Sequence, residues 1–314
     1  MSAEIVTITS PASGDYARVL VSQGFNCFEY RVNCGGQTVD ALWSLPNFAS
    51  GHQRPSSSGI PLLFPFPGRI PGTSFSWNGR TFELEPGDKF GNAIHGFCHT
   101  RPWRIIDQQD DSVTGEFQAS IDDPSLLARW PSDFKITANY AIGAGVLACN
   151  YEFANPGEQP LPCGFGAHPY FRLPLGGASA NDCVVQLPVT KQWELVEMLP
   201  TGALLDWPGA AASADGVKFE KLQLDDVFAG LTFAGERCTA TVFDPSSQRR
   251  LTIAWDKTFR ECVVFTPPHR EAICIEPYTC VPGAIALHER GIEAGLRVLQ
   301  PGESFSARME IRVS

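Results

Sequence analysis

None of the ten cysteines of this 314-residue chain forms a C-x-x-C pair. Zinc ribbons and thioredoxin-like redox sites are built on such pairs, so neither is expected. Several cysteines (Cys149, Cys183, Cys262, Cys274) stand inside apolar strand-like runs, which fits buried free thiols in a reducing compartment better than a disulfide framework. No uncharged apolar run approaches the ~20 residues that cross a bilayer. The opening MSAEIVTITS has an acidic residue and no apolar core of the kind a secretory leader carries, so a cytoplasmic location away from membranes is expected. Only 6 lysines and 18 arginines are present, scattered under a net charge of −10. Nucleic acid is therefore not an expected partner, because backbone phosphates call for a concentrated basic surface. There is no G-x-S-x-G elbow, no Walker or Rossmann glycine loop, no internal repeat and no linker-like break in composition.

What is present is a periodicity of two. In SFSARMEIRV, Phe305, Ala307, Met309 and Ile311 alternate with Ser306, Arg308, Glu310 and Arg312. DSVTGEFQAS, RRLTIAWD, CTATVFD, FKITANYAI, GVLACNYEF and RTFELE behave alike, each the pattern of a half-buried antiparallel strand. WNGR, ANPGEQ, AGE and FDPSSQ supply turns between them, and 29 Gly with 25 Pro make such turns easy to build. The best helical reading is the short DDPSLLARW at 122–130. Many short strands with frequent turns predict an all-β, antiparallel sandwich or barrel over 1–314 as one domain.

Five stretches could carry chemistry. In GIPLLFPFPGRI, Arg69 follows prolines and a glycine that stiffen its backbone. A fixed guanidinium suits sugar hydroxyls or a carboxylate, although a plain surface arginine reads the same way locally. In GNAIHGFCHTRPW, His95 and His99 are four apart, but Gly91, Gly96 and Pro102 argue against the helix a metal pair would need, and no third ligand is nearby. His95 is either a core histidine or a pocket donor. GAHPYFRLP holds His168 between glycine-flanked backbone and aromatics, either a packed loop residue or a proton carrier titrating near neutrality. LQLDDVFAGL offers Asp225 and Asp226, as ligand contact or as turn caps. In EAICIEPYTCVPGA, Glu276 ends an apolar strand and is followed by Pro277. A carboxylate there is seldom buried unless paired or used, and burial would raise its pKa toward that of a general base. A histidine and a carboxylate with no nucleophile beside them suit proton transfer on a neutral polar substrate, whether epimerisation, isomerisation or elimination.

In their order along the chain, GIPLLFPFPGRI, SFSWNGRTFELEPGD leading into GNAIHGF, GAHPYFRLP, LDDVF and IEPYTCVPGA resemble the aldose 1-epimerase (galactose mutarotase-like) family. The resemblance implies a large β-sandwich that binds a hexose on one face and needs no cofactor or metal. It implies Glu276 as the base at the anomeric hydroxyl and His168 as the acid at the ring oxygen. It further implies Arg69, His95 and Asp225 as sugar contacts, with Asp225 preferred to Asp226 because Phe228 then falls three places later. Phe97 stands where galactose mutarotases usually carry a second glycine after His-Gly, so their sugar preference is not transferred. Hexose-6-phosphate epimerases share the fold and add arginines for phosphate, for which Arg54, Arg101 and Arg270 are the candidates; Tyr278-Thr279 favours the free-sugar branch. A sugar-binding protein without turnover, or a lyase or hydrolase on a similar sandwich, are the other readings. The expected partner is a small sugar, and the expected state a monomer or homodimer.

Overall fold

The computed structural model describes residues 3–314 and is dominated by two large antiparallel sheets. The first has ten strands. Its order runs from Arg104–Gln108 through Ser112–Gln118, Lys135–Gly143, Val146–Ala154, Ser304–Val313, Arg249–Asp256, Arg237–Asp244 and Val184–Gln186 to Val217–Lys218, with Phe233–Ala234 beside Arg237–Asp244. The second has eight: Leu199–Asp206, Lys191–Val196, Asp225–Ala229, Glu261–Phe265, Ala272–Tyr278, Gly166–Ala167 and Leu62–Leu63, with Tyr170–Arg172 also paired to Ala272–Tyr278. A four-stranded sheet from residues 5–40 adjoins them.

Alternation explains how the two sheets join. Ile273 and Ile275 are fully buried, as are Cys262, Val264 and Phe228 on the neighbouring strands. All five belong to the same apolar cluster as Ile136, Ala138, Leu147, Leu251, Ile253, Met309 and Ile311 of the ten-stranded sheet. The sandwich core is therefore the odd set of one strand and the even set of its neighbour, as a pleated sheet requires. Truncating a fully buried isoleucine such as Ile275 to alanine costs about 2–5 kcal/mol. The complementary residues, Val227, Ala229, Val263 and Tyr278, face away from that core and form a second cluster. That outer face carries the site.

The strands read from alternation are present. Ser304–Val313 reproduces the expected pattern, with Ala307, Met309 and Ile311 buried, and it lies centrally, between Val146–Ala154 and Arg249–Asp256. Two local readings change. The helical stretch at 122–130 forms a 3-10 segment over Pro124–Ala128, capped by the Asp123 carboxylate on the Ser125 N–H. A one-turn α-helix precedes it at Ala119–Asp122, cutting short the strand read in DSVTGEFQAS. Proline at the first position of Pro124–Ala128 cannot donate to the turn before it, which separates the two segments. Glu276 also does not end its strand, which continues through Pro277 to Tyr278. A proline removes at most one ladder hydrogen bond, and pairing with Glu261–Phe265 carries the strand past it. All ten cysteines are free, nine buried and Cys34 half-buried.

Candidate active site

The outer face of the eight-stranded sheet holds a cavity of about 270 Å³. Pockets for small molecules run from roughly 300 Å³ upward, so the space suits something the size of a monosaccharide. Its walls include Arg69, His95, His168, Asp225 and Glu276, which are separated by up to 207 positions in the chain. Each arrives by a different local device.

Glu276 projects from the middle of Ala272–Tyr278, opposite Val263. Its side chain is buried, and the Tyr278 hydroxyl donates to its Oε2 at 2.8 Å. Burial pushes the carboxyl well above its ordinary value, and the Tyr278 hydrogen bond only partly opposes that. His168 follows the two-residue strand Gly166–Ala167, anchored by its own N–H on the Pro61 carbonyl. Gly166 is required there: a Cβ would stand 2.5 Å from the Tyr278 ring. The imidazole stacks on Tyr170 with centroids 4.9 Å apart and planes within 6°. Burial pushes its pKa down to about 3, with His99 and Arg54 adding to the effect. Its Nδ1 lies 3.4 Å from Glu276 Oε1, with no hydrogen-bond partner.

Arg69 and His95 are brought together by a short ladder in which Arg69 pairs with Ile94. The Arg69 Nε donates to Asp88 at 2.8 Å. Burial resists ionisation of Asp88, but hydrogen bonds from Asn92, Arg69 and Phe90 outweigh it and hold the carboxyl below its ordinary value. A clamped guanidinium keeps its remaining donors aimed at the cavity at little entropic cost. His95 adopts φ 69°, a left-handed conformation uncommon for a residue with a side chain. Its N–H bonds the Gly68 carbonyl at 2.7 Å, and Gly96 fits behind it where a Cβ would meet Phe64 O at close range. Such strain persists where the surroundings over-determine it, often at ligand sites. Burial and the neighbouring His168, His99, Arg69 and Arg54 all keep the His95 imidazole neutral. His95 and His99 stand edge to face, centroids 6.0 Å apart, and His99 is not among the cavity walls.

The pleat sends the two aspartates to opposite sides of the strand. Asp225 and Val227 line the cavity, whereas Asp226 points to the other side of the strand and accepts from Gln192 Nε2 at 2.6 Å. Asp225 keeps exposed surface on the cavity wall, and partial desolvation by its surroundings raises its carboxyl, which Arg69 opposes and Asp226 reinforces. Of the three arginines considered for phosphate, only Arg54 reaches this cavity. Arg101 is paired with Asp123, and Arg270 donates to the carbonyls of Leu222 and Phe219 while its guanidinium covers the Phe219 ring at 3.8 Å.

Three contributors were not assigned to the site from sequence. Tyr278 was legible, since it stands two residues after Glu276 and a strand puts both on one face. Tyr170 and Asp88 carry no local signal, because their partners His168 and Arg69 are met through stacking and through a turn.

The family model for aldose 1-epimerase matches residues 15–312. The chain belongs to the aldose 1-epimerase family. The protein YphB of Escherichia coli (strain K12), described as uncharacterized, is 24% identical over 276 residues, covering 82% of this chain and 84% of that protein. A galactose mutarotase-like protein from Clostridium acetobutylicum superposes with a TM-score of 0.85 at 21% identity, covering 100% of this chain and 99% of its own. A galactose 1-epimerase from Lactobacillus acidophilus does so with a TM-score of 0.75 at 16% identity, covering 100% and 99%. At these identities the two structures establish the fold, and the family membership carries the expectation of a sugar substrate.

Proposed function

We propose that the chain is an aldose 1-epimerase acting on a free hexose, with Glu276 and His168 as its base and acid. The observation that carries this reading is the pair itself: two buried titratable groups 3.4 Å apart on the wall of a sugar-sized cavity. Glu276 takes the proton of the anomeric hydroxyl as His168 gives one to the ring oxygen. The C1–O5 bond breaks, a free aldehyde forms, and C1–C2 rotation presents its other face. Closure reverses both transfers and delivers the opposite anomer. Positioned proton transfers of this kind typically contribute ~10²- to 10⁴-fold each. Arg69, His95 and Asp225 act as hydrogen-bonding partners for the sugar hydroxyls.

The protonation states fit this cycle. Burial disfavours both charges, so at rest the proton sits on the carboxyl and the imidazole is neutral. The reactive arrangement, imidazolium beside carboxylate, has the same proton count and differs only by transfer between the two groups. Hydroxyls bound by Arg69 and Asp225 supply the polar surroundings that favour it. A binding protein without turnover would have no use for an acid and a base in such contact.

Arg54 supports a second reading. It lines the cavity and, among the described residues, no carboxylate lies within 4 Å of its guanidinium, so it is placed to take a phosphate on the sugar. Polarimetry of freshly dissolved α-anomers, free and 6-phosphorylated, tests the function and separates the two substrates. Acceleration of neither overturns it.

A further inference from the structure

Ala272, Cys274, Glu276 and Tyr278 share one face of their strand, so a thiol sits beside the carboxylate of the proposed base. Cys274 takes no part in the cycle described above. Among the described residues, His168, Cys274 and Glu276 come together as a group of metal-type side chains, each buried, with one donor atom apiece lying within 4.8 Å of the others. We propose that these three side chains form a binding site for a soft divalent cation of the zinc class, and that its occupancy blocks turnover.

Zinc takes thiolate sulfur, imidazole nitrogen and carboxylate oxygen at ~2.0–2.3 Å, which sets tetrahedral donors about 3.5 Å apart. The Nδ1 of His168 and Oε1 of Glu276 already have that spacing, at 3.4 Å. No spacing within the group exceeds 4.8 Å, so side-chain movement of about 1 Å brings the three donors to the ideal separation. A second observation points the same way. His168 Nδ1 is buried and lacks any hydrogen-bond partner, a lone pair or N–H left unused beside the other two donors. The thiol and carboxyl protons leave to solvent as the metal bonds form. The fourth coordination position faces the cavity, where water or a sugar hydroxyl completes the tetrahedron. A cation held there occupies the acid and the base together, so the metal-free protein is the active form. The softness of the thiolate selects zinc and cadmium over magnesium and calcium.

The binding claim rests on geometry alone, and the inhibition claim rests also on the proposed function. The test therefore reads both. Protein stripped with EDTA and kept in a phosphine reductant is titrated with Zn²⁺ by calorimetry. A parallel titration with Cd²⁺ follows the ultraviolet thiolate-to-metal charge-transfer band. Wild type is expected to bind one ion per chain, to lose anomerisation activity over the same titration range, and to regain it with EDTA. Cys274→Ser and Cys274→Ala are expected to lose the cadmium band, to bind zinc on the order of 100-fold more weakly, and to turn over normally without metal. Melting curves establish that the variants used are folded. Absence of stoichiometric binding in wild type, or undiminished binding in either folded variant, overturns the proposal. Stoichiometric Cys274-dependent binding in a protein with no anomerisation activity upholds the site and overturns the functional reading instead.

Discussion

The Nδ1 of His168 and Oε1 of Glu276 stand 3.4 Å apart, both out of solvent and without a hydrogen bond between them. Two groups this close titrate as a unit, so the pH profile reports the pair and not either residue. Burial carries His168 down to about 3 and Glu276 well above its ordinary value. Between those limits the pair holds one proton. The kcat/KM profile is therefore expected to be flat between about 3 and the raised Glu276 value, and to fall on either side as the pair gains a second proton or loses its one. An acid limb centred at ~6.5, the ordinary histidine value, would show that His168 ionises as an exposed imidazole does.

At Glu276 the pH dependence of stability has the sign opposite to that of an ion-paired carboxylate. A carboxyl whose folded pKa is raised contributes stability that is fully present below its unfolded value of 4.5 and is lost as pH rises through the folded value. Glu276→Gln has no such proton to lose. Its melting temperature is expected to match wild type in acid and to exceed it increasingly as pH rises above 4.5. A gap that narrows with rising pH would contradict the burial argument.

The same variant separates binding from chemistry. Glu276→Gln keeps the shape of the cavity and removes the proposed base, so kcat is expected to fall by ~10²- to 10⁴-fold while sugar affinity is largely retained. Calorimetric titration with the preferred hexose, beside initial-rate kinetics, checks this. Near-normal kcat would remove Glu276 from the mechanism.

His168→Asn retains a donor of similar reach but cannot release a proton in this range. Turnover is expected to vanish with the melting temperature close to that of wild type. His99→Asn is the internal control: His99 is buried nearby, with its pKa pushed down to about 4, but lies off the cavity, so its loss affects stability and not turnover. A His168→Asn protein that is active but less stable would make His168 a packed loop residue.

Arg54→Gln distinguishes the two substrates. With a free hexose its kinetics stay near wild type. If the natural substrate carries a phosphate, KM for the phosphorylated sugar rises on the order of tenfold or more, as expected when a charge-assisted contact of ~1.5–3 kcal/mol is lost. Equal effects on both sugars would assign Arg54 to the shape of the cavity mouth.

Much of the fold was legible because half-buried antiparallel strands advertise themselves. Ser304–Val313 alternates from Ala307 to Val313 as the pattern names, with Phe305 half-buried at its start, and Arg249–Asp256 buries the expected Leu251, Ile253 and Trp255, with the small Ala254 buried between them. The short pieces were not legible. Arg69–Ile70, Ala93–Ile94 and Gly166–Ala167 are two-residue strands, too brief for any periodicity, yet they position Arg69, His95 and His168. The site residues were named from their motifs and family resemblance. Their convergence on one cavity is a property of sheet order, which places Asp225–Ala229 and Glu261–Phe265 beside Ala272–Tyr278. The preference for Asp225 over Asp226 had rested on the spacing to Phe228. In the structure the pleat puts Asp225 on the cavity wall beside Val227 and Asp226 on the other side of the strand.

The most direct test of the central claim is magnetisation exchange by NMR between the α and β anomeric protons of glucose, galactose and glucose 6-phosphate at equilibrium. The account predicts that wild type accelerates exchange for at least one of them, that EDTA leaves the rate undiminished, and that Glu276→Gln and His168→Asn each return it to the buffer rate while remaining folded. Exchange no faster than buffer for all three sugars, or acceleration that survives both substitutions, would contradict it.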